Sequence, residues 1–264
     1  MRNQSIRAFV LKSVPFRQKD RLIHLLCEKY GLLVAMAYGS ASSKSQLQAV
    51  TMPFVLADFQ LFFYRDRITI DRGDLIEAFL PLQQDIEKLT AAAHLSQIAL
   101  DALVQGVAEP NIYRLWGYSL FELSRSGDPV LTSQVAALRL LSDLGYAPWL
   151  NNCVVCHKGL DTGAYFSLPD SGIICDQEMK DIAPGRRVYL SYPTISSLIY
   201  IVRAPYNLLF NFTVSAEVRG ELLNFVELYL EEKMEKQYTR LNLIKSFDNF
   251  LPTARKKEDK PKED

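Results

Sequence analysis

The segment Leu138-Arg-Leu-Leu-Ser-Asp-Leu-Gly-Tyr-Ala-Pro148 leads into Cys153-Val-Val-Cys156 and then to Cys175. Three of the four cysteines in the chain fall in this window. A Cys-x-x-Cys pair places two thiols on one tight turn, which is how zinc knuckles begin. Glu178 stands three residues after Cys175, where a fourth cysteine is expected. The pattern therefore predicts a knuckle-like segment at residues 149–180 that lacks one thiol.

Two interpretations of this segment are open. In the first, a structural zinc ion is held by four ligands, for which the candidates are Cys153, Cys156, Cys175 and Glu178, with Asp176 and His157 as other sources of the fourth ligand. In the second, no metal binds, and packing of Val154, Phe166 and Ile174 holds a degenerate knuckle together. A catalytic zinc is disfavoured because no histidine-rich set accompanies the cysteines.

Length and composition indicate an ordinary globular protein. The chain has 264 residues, 48% of them hydrophobic and 23% charged, which favours two domains, each with its own core. No charge-free run approaches the ~18 apolar residues of a membrane span. Clustered cysteines in a chain of this length favour a reducing cytoplasm over a disulfide framework. We therefore expect a cytoplasmic protein without a membrane segment.

Residues 1–80 alternate apolar and polar side chains with the period of two that is typical of β-strands. Five short strands are predicted at residues 6–11, 21–27, 32–38, 54–64 and 68–70. A turn at Ser13–Phe16 is predicted after the first strand. Because no helix-length apolar repeat lies among them, the pattern predicts a small closed barrel. Residues 81–251 then change to a helical period, so the fold class is α+β.

The helical part contains clear signals for where helices begin and end. Asp128 is a predicted N-cap, Pro129 the first helical residue, and Gly145 the stop of the same helix. Ser215 is predicted to cap a later helix. The highly charged tail at residues 252–264 has almost nothing to bury and is expected to be disordered.

Charge is unevenly distributed along the chain. The net charge is zero, yet residues 1–50 hold eight basic side chains and two acidic ones. The loops between strands 1 and 2 and between strands 4 and 5 of a five-stranded barrel border its oligonucleotide face. The candidate DNA contacts lie on and around the first turn and on the loop that could sit beside it, and they are Lys12, Arg17, Lys19, Arg21 and Lys44. Phe16 is a candidate for base stacking. The alternative is an ordinary solvated surface, but the local charge and the predicted barrel together favour nucleic-acid binding.

Signals for catalysis are weak. The sequence has no phosphate-binding loop and no dinucleotide fingerprint, and its three histidines have no evident nucleophile partner, so we expect a non-enzyme. Two other classes fit a basic barrel with a knuckle. One is a zinc-ribbon RNA-binding or transcription-associated protein, and the other is a purely structural adaptor.

Several segments, taken in order, resemble the RecO family of bacterial recombination mediators. The resemblance covers roughly residues 5 to 245. Besides the helix and Cys-x-x-Cys segment quoted above, it rests on Phe9-Val-Leu-Lys12, Lys19-Asp-Arg-Leu22, Tyr30-Gly-Leu-Leu33, Phe59-Gln-Leu-Phe62 and Asp85-Ile-Glu-Lys-Leu89. The chain departs from the family pattern in two places, since its Ser40–Ser43 loop is poor in cations and its fourth knuckle cysteine is absent.

This resemblance implies an N-terminal OB-fold barrel (residues 1–80) and a C-terminal helical domain (residues 81–251) with a knuckle that binds zinc in many members. It also implies a nucleoid-associated role in recombinational repair. Such proteins bind single-stranded and double-stranded DNA, anneal complementary strands, and work with RecR to load RecA. They also contact the acidic C-terminal tail of the single-stranded-DNA-binding protein, for whose carboxylate Arg125 or Arg139 is the candidate cation here.

Overall fold

The computed structural model describes residues 2–160, 162–175, 177–178 and 187–244. The predicted charged tail at residues 252–264 and the candidate ligand Asp176 lie outside these residues. In the described part of the chain, no helix is both long enough and apolar enough to cross a membrane.

The N-terminal part forms a closed barrel of five strands, as predicted. The strands are β1 (Arg2–Phe16), β2 (Asp20–Cys27), β3 (Gly31–Ala37), β4 (Leu56–Tyr64) and β5 (Arg67–Glu77). Their order around the barrel is β1-β2-β3-β5-β4, and β1 closes the barrel by pairing with β4. All these pairs are antiparallel except β3 with β5. This is the OB-fold arrangement, so the predicted fold class is confirmed.

The turn predicted at Ser13–Phe16 is wrong, because β1 continues to Phe16 and the chain turns at residues 17–19. Pairing of β1 with β4 ends at Phe9, whereas pairing with β2 continues to Phe16. Pro15 therefore lies on a stretch that has one sheet neighbour, where a proline is tolerated. The predicted fifth strand was too short, since β5 continues to Glu77. Residues 71–77 of β5 are mostly polar and exposed, so the alternation of apolar and polar side chains is weak there.

Two hydrophobic cores meet at β1. Ala8 and Val10 point into the barrel, whereas Phe9 and Leu11 join the core of the helical domain. A bulge between Val10 and Lys12 shifts the register with β2 at this point. Buried Ser96 donates a 2.7 Å hydrogen bond from its hydroxyl to the carbonyl oxygen of Leu11. The barrel and the helices are thus joined by apolar packing and a buried hydrogen bond.

The helical domain contains six described helices. They are α1 (Leu80–Gln84), α2 (Ile86–Ala102), α3 (Pro110–Arg125), α4 (Pro129–Leu141), α5 (Tyr192–Arg203) and α6 (Ala216–Met234). The predicted caps are confirmed: the Asp128 carboxylate accepts from the Leu131 amide at 3.1 Å, and the Ser215 hydroxyl accepts from the Val218 amide at 3.4 Å. Gly145 adopts φ +95° in the turn after α4, which fits its predicted role as a helix stop.

A small antiparallel sheet lies between α4 and α5. Its strands are β6 (Ala164–Ser167), β7 (Gly172–Ile174) and β8 (Arg187–Leu190), in the order β7-β6-β8. Phe166 is fully buried and contacts Phe225 and Tyr229 of α6, with ring centroids 4.8 and 5.7 Å away. This packing fixes the sheet, and with it the cysteine segment, to the helical core.

His94 of α2 is buried against Tyr238, with ring centroids 6.1 Å apart. Among the described residues, neither ring nitrogen of His94 has a hydrogen-bond partner. Burial, aided by the positive charge of Arg240, lowers the pKa of His94 to about 4. Between pH 6.5 and 4 the unfolded chain therefore binds a proton that the folded chain excludes, and the free energy of unfolding falls as pH falls.

We predict that His94→Leu makes stability less sensitive to acid. Between pH 7 and 4, the variant should lose roughly 2–3 kcal/mol less unfolding free energy than the parent chain, following about 1.4 kcal/mol per pKa unit. Urea unfolding at several pH values measures this. Leu95→Ala, which changes the adjacent buried residue and removes no titratable group, should lower stability by a similar amount at every pH and so retain the parent's pH dependence. Identical pH profiles for His94→Leu and the parent would contradict the prediction.

Candidate functional site

A groove of about 510 Å³ runs across the outer face of β2 and β3. Its floor is formed by Leu22, Val34 and Met36. The β1–β2 turn borders it with Phe16 and Arg17, and the β4–β5 turn borders it with residues 66 and 67. These two loops and the face of strands 2 and 3 are the positions at which OB-folds bind oligonucleotides.

Each bordering loop carries an arginine beside an exposed aromatic ring. The guanidinium of Arg17 lies 5.5 Å from the Phe16 ring centroid, and that of Arg65 lies 5.3 Å from the Tyr64 ring centroid. Both arginines adopt positive φ, 57° and 50°, at the tips of their turns. Tyr38, also at the groove, is 53% exposed. Rings that can stack on bases therefore stand next to cations that attract phosphates.

Three of the five predicted DNA contacts gather at one end of the barrel. Arg17 and Lys19 are exposed in the first turn, and Lys44 is exposed on the loop after β3. The amide of Ala41 in that loop donates to the Lys19 carbonyl oxygen at 3.0 Å. This bond holds the loop against the first turn, so the structure brings these three cations to neighbouring loops.

The other two predicted contacts lie elsewhere. Arg21 is half-buried, and its Nη1 donates to the Ser13 hydroxyl at 3.3 Å. Lys12 is exposed, but it lies further along β1 at the cleft between the barrel and α2. The roles of all five in DNA binding stay predictions.

Sequence reasoning missed Tyr38, Tyr64, Arg65 and Arg67. The last two belong to the stretch Arg65-Asp-Arg67, which the sequence marked only as a turn between two strands. A usable signal was present, because the loop between strands 4 and 5 borders the binding face of a five-stranded barrel. The stretch Tyr64-Arg-Asp-Arg67 carries the same combination of an aromatic ring and cations as Phe16-Arg17 in the first turn, and this repetition is visible in the sequence.

The three predicted cysteine ligands come together. The sulfur atoms of Cys153, Cys156 and Cys175 all lie within 4.8 Å of one another, and the Cys156 and Cys175 sulfurs are 3.7 Å apart. Two thiolates on a tetrahedral zinc ion, with Zn–S of about 2.3 Å, stand about 3.8 Å apart. The β6–β7 hairpin carries Cys175 back to the Cys-x-x-Cys turn, where the Val154 amide donates to the Ile173 carbonyl oxygen at 2.9 Å.

Backbone amides surround the Cys153 sulfur. Burial raises the pKa of Cys153, but hydrogen bonds from the amides of Cys156, Cys175 and Val155 outweigh it and lower the pKa to about 7. The Cys175 amide lies 3.4 Å from this sulfur. A thiolate held by amides and flanked by two further thiols is a donor set that fits a structural zinc ion.

The structure groups three of the four predicted zinc ligands, and the predicted fourth ligand, Glu178, is not among them. In the part of the chain that the structure describes, the carboxylate of Glu178 does not join the three sulfurs, nor does the ring of His157. The Glu178 amide instead donates to the Cys175 carbonyl oxygen at 3.0 Å. Asp176 is not described, and Glu178 as a zinc ligand stays a prediction.

The two arginines predicted to bind a partner's carboxylate differ in their surroundings. The side chain of Arg139 is only 12% exposed, forms an ion pair with Asp143 at 2.8 Å, and donates to the Ala204 carbonyl oxygen at 2.6 Å. The side chain of Arg125 is 66% exposed, lies 3.8 Å from the Glu122 carboxylate in a surface ion pair, and lies 5.6 Å from the ring centroid of Phe121. Arg125 is therefore the one of the two that is presented to solvent.

Family comparisons agree with this architecture. Residues 1–79 match the family model described as "Recombination protein O N terminal", and residues 83–242 match the one described as "Recombination protein O C terminal". The chain belongs to the RecO family. The two matches cover the OB-fold barrel and nearly all of the described helical domain, including the cysteine cluster.

Curated RecO relatives extend over almost the whole chain. The DNA repair protein RecO of Acetivibrio thermocellus is 33% identical, over 91% of this chain and 96% of the relative. The DNA repair protein RecO of Syntrophomonas wolfei is 32% identical, over 84% of this chain and 87% of the relative. That of Thermoanaerobacter sp. is 28% identical, over 95% of this chain and all of the relative. The RecO family thus places the chain in DNA repair.

We predict that the purified chain binds close to one zinc ion and that Cys156→Ser and Cys153→Ser abolish this binding. Three thiolates contribute most of the zinc affinity, so loss of one leaves too few ligands. Elemental analysis after gel filtration measures the metal content. Cys27→Ala, which removes the buried barrel cysteine, should retain zinc. A metal-free parent chain, prepared without chelators, would contradict the prediction.

Proposed function

We propose that this RecO-family chain is a DNA-binding recombination mediator. It binds single-stranded and double-stranded DNA and promotes annealing of complementary strands. Together with RecR, it helps to load RecA onto strands coated by the single-stranded-DNA-binding protein, in the bacterial cytoplasm at the nucleoid. The observation that carries the proposal is the barrel groove, bordered on two loops by an arginine paired with an exposed aromatic ring.

The cations of the first turn and of the loop after β3 are free to contact phosphates. Within the described residues, no ion pair engages Arg17, Lys19 or Lys44, in contrast to Arg7, which is paired with Asp58 at 2.8 Å. An exposed cation without an acidic partner can replace the counterions of a nucleic-acid backbone, and the release of those counterions drives binding. This contribution to affinity is independent of sequence, as a mediator that acts along a whole strand requires.

The aromatic rings favour a single strand at the groove. Phe16 and Tyr38 line the groove, Tyr64 ends β4 next to the bordering β4–β5 turn, and all three rings are exposed. Unpaired bases can stack on such rings, with about 1–3 kcal/mol per base, whereas bases inside a duplex are already stacked on each other. The groove is therefore suited to a strand that is transiently freed from its coating protein. Exchange of one binding partner for another on that strand needs no hydrolysis.

We predict that Arg17→Glu combined with Lys19→Glu weakens binding of single-stranded DNA by at least 10-fold at moderate salt. The salt dependence of binding should also become shallower, with a loss of about 0.7 in slope for each phosphate contact removed. Fluorescence anisotropy with labelled oligothymidylate at several salt concentrations measures both effects. Arg21 is left unchanged in this test because it is half-buried and bonded to Ser13.

Lys29→Glu is the matched control, because Lys29 is exposed on the β2–β3 turn at the opposite end of the barrel. It should change the affinity far less than the double variant. Unchanged affinity in the double variant would contradict the assignment of the groove as the site that binds single-stranded DNA. Tighter binding of a structured RNA competitor than of single-stranded DNA would favour an RNA-associated function instead.

A second groove supports contact with the tail of the single-stranded-DNA-binding protein. It has a volume of about 510 Å³ and lies between the barrel and α3, with a lining that is almost entirely apolar and includes Phe9, Phe79 and Tyr113. Phe121 lines it and is 55% exposed. Arg125 stands one helical turn further along α3, beside Phe121. An acidic peptide that ends in apolar residues finds both an apolar groove and a cation for its carboxylate here.

We predict that Phe121→Ala and Arg125→Ala each weaken binding of the tail peptide by about 10-fold. The first removes apolar contact and the second removes the charge that faces the carboxylate. Isothermal titration with the synthetic C-terminal peptide measures the affinity. Tyr192→Ala, which removes an exposed aromatic ring at the start of α5, should leave the affinity unchanged. Equal affinities for all three variants and the parent would exclude this groove.

A further inference from the structure

A cleft of about 440 Å³ separates β1 of the barrel from α2 of the helical domain. Lys12 lines it from the barrel, Gln97 and Asp101 line it from α2, and Lys236 and Arg240 line it from the segment that follows α6. These residues come from three distant parts of the sequence. The cleft exists only because the barrel and the helical domain are packed together.

The cleft carries an excess of positive charge. Asp101 is the one acidic residue among its described lining residues and is paired with Lys236, their nitrogen and oxygen lying 2.7 Å apart. Arg240 donates to the neutral amide oxygen of Gln97 at 3.3 Å. In the described part of the chain, Lys12 has no ion pair. Two cations are therefore left without compensating carboxylates in a concave site, where the positive potential is focused.

The strand register places the cleft next to the barrel groove. Lys12 pairs with His24 of β2, and His24 pairs with Val34 of β3. Val34 forms part of the groove floor. Directly paired residues on neighbouring strands stand about 5 Å apart, so Lys12 lies roughly 10 Å from the groove. A DNA strand advances about 3.4 Å per nucleotide in the duplex, so a few nucleotides cover this distance.

We propose that this cleft binds the sugar–phosphate backbone of the same DNA strand that occupies the barrel groove. Arg240 contacts phosphates in the cleft, Lys236 stays paired with Asp101 beside it, and Lys12 contacts the backbone between the two sites. The proposal rests on the proposed function of the groove as a DNA site. It extends the DNA path from the barrel onto the C-terminal segment of the helical domain, so that a long strand is held by both domains at once.

The test uses the full chain and two lengths of oligothymidylate. A single OB-fold covers about 4–16 nucleotides, so an oligomer of about 6 nucleotides reports on the groove and one of about 25 also reaches the cleft. For the double variant Lys12→Gln with Arg240→Gln, which removes the two uncompensated cations, we expect the affinity for the long oligomer to fall about 10-fold, with a shallower salt dependence. The affinity for the short oligomer should stay within twofold of the parent's.

Two comparison variants complete the design. Lys12→Arg with Arg240→Lys keeps both charges and should retain the parent's affinity for the long oligomer. Lys29→Gln with Lys158→Gln removes two exposed lysines elsewhere and should retain it as well. Unchanged long-oligomer binding in the cleft variant would overturn the proposal, and so would an equal loss for both lengths. If the groove itself does not bind DNA, Arg17→Glu with Lys19→Glu leaves the affinity for both oligomers unchanged. That result distinguishes an error about the groove from an error about the cleft.

Discussion

The outward face of β1 is packed into the core of the helical domain, and the surfaces proposed to bind DNA and a partner depend on this contact. Phe9 and Leu11 contribute to the helical core, and Ser96 donates to the Leu11 carbonyl oxygen within it. The β2–β3 turn meets the same domain at Gly31, where φ is +61° and an added Cβ atom would lie 1.7 Å from the Val107 carbonyl oxygen. Only glycine permits this approach of two backbones. The barrel is thus fixed to the helices along β1 and at one of its ends.

This attachment leaves the other end of the barrel free. The β1–β2 and β4–β5 turns and the loop that carries Lys44 are exposed, and their cations lack acidic partners among the described residues. The contact also creates the cleft between β1 and α2 and the apolar groove beside α3. Each surface proposed to bind DNA or a partner therefore borders the junction of the two domains or lies at the end of the barrel opposite the β2–β3 turn.

Apolar packing holds the cysteine segment in place, and its three thiols form a set that could also bind a metal ion. Its sheet is attached to α6 through Phe166, and both Phe166 and Ile174 are buried, so apolar packing positions the hairpin without any metal. The three sulfurs that this packing brings together have the spacing and amide hydrogen bonds of a zinc site. The packing expected in the second interpretation is thus present, and the sulfur cluster still leaves room for the zinc ion of the first, which would add a local cross-link.

Local patterns were sufficient to predict much of this protein. The period-two alternation predicted the barrel, Asp128 and Ser215 marked helix starts, and the Cys-x-x-Cys spacing predicted the sulfur cluster, because each of these signals depends on neighbouring residues. Tertiary structure alone decided the rest. Pro15 stays within β1 because β4 no longer pairs with β1 at that position. Arg139 is buried because α5 and the turn after it cover its side chain. Lys12 lies near Lys236 and Arg240 because α2 is packed against β1. These outcomes depend on contacts between residues far apart in the chain, which the order of the amino acids does not display.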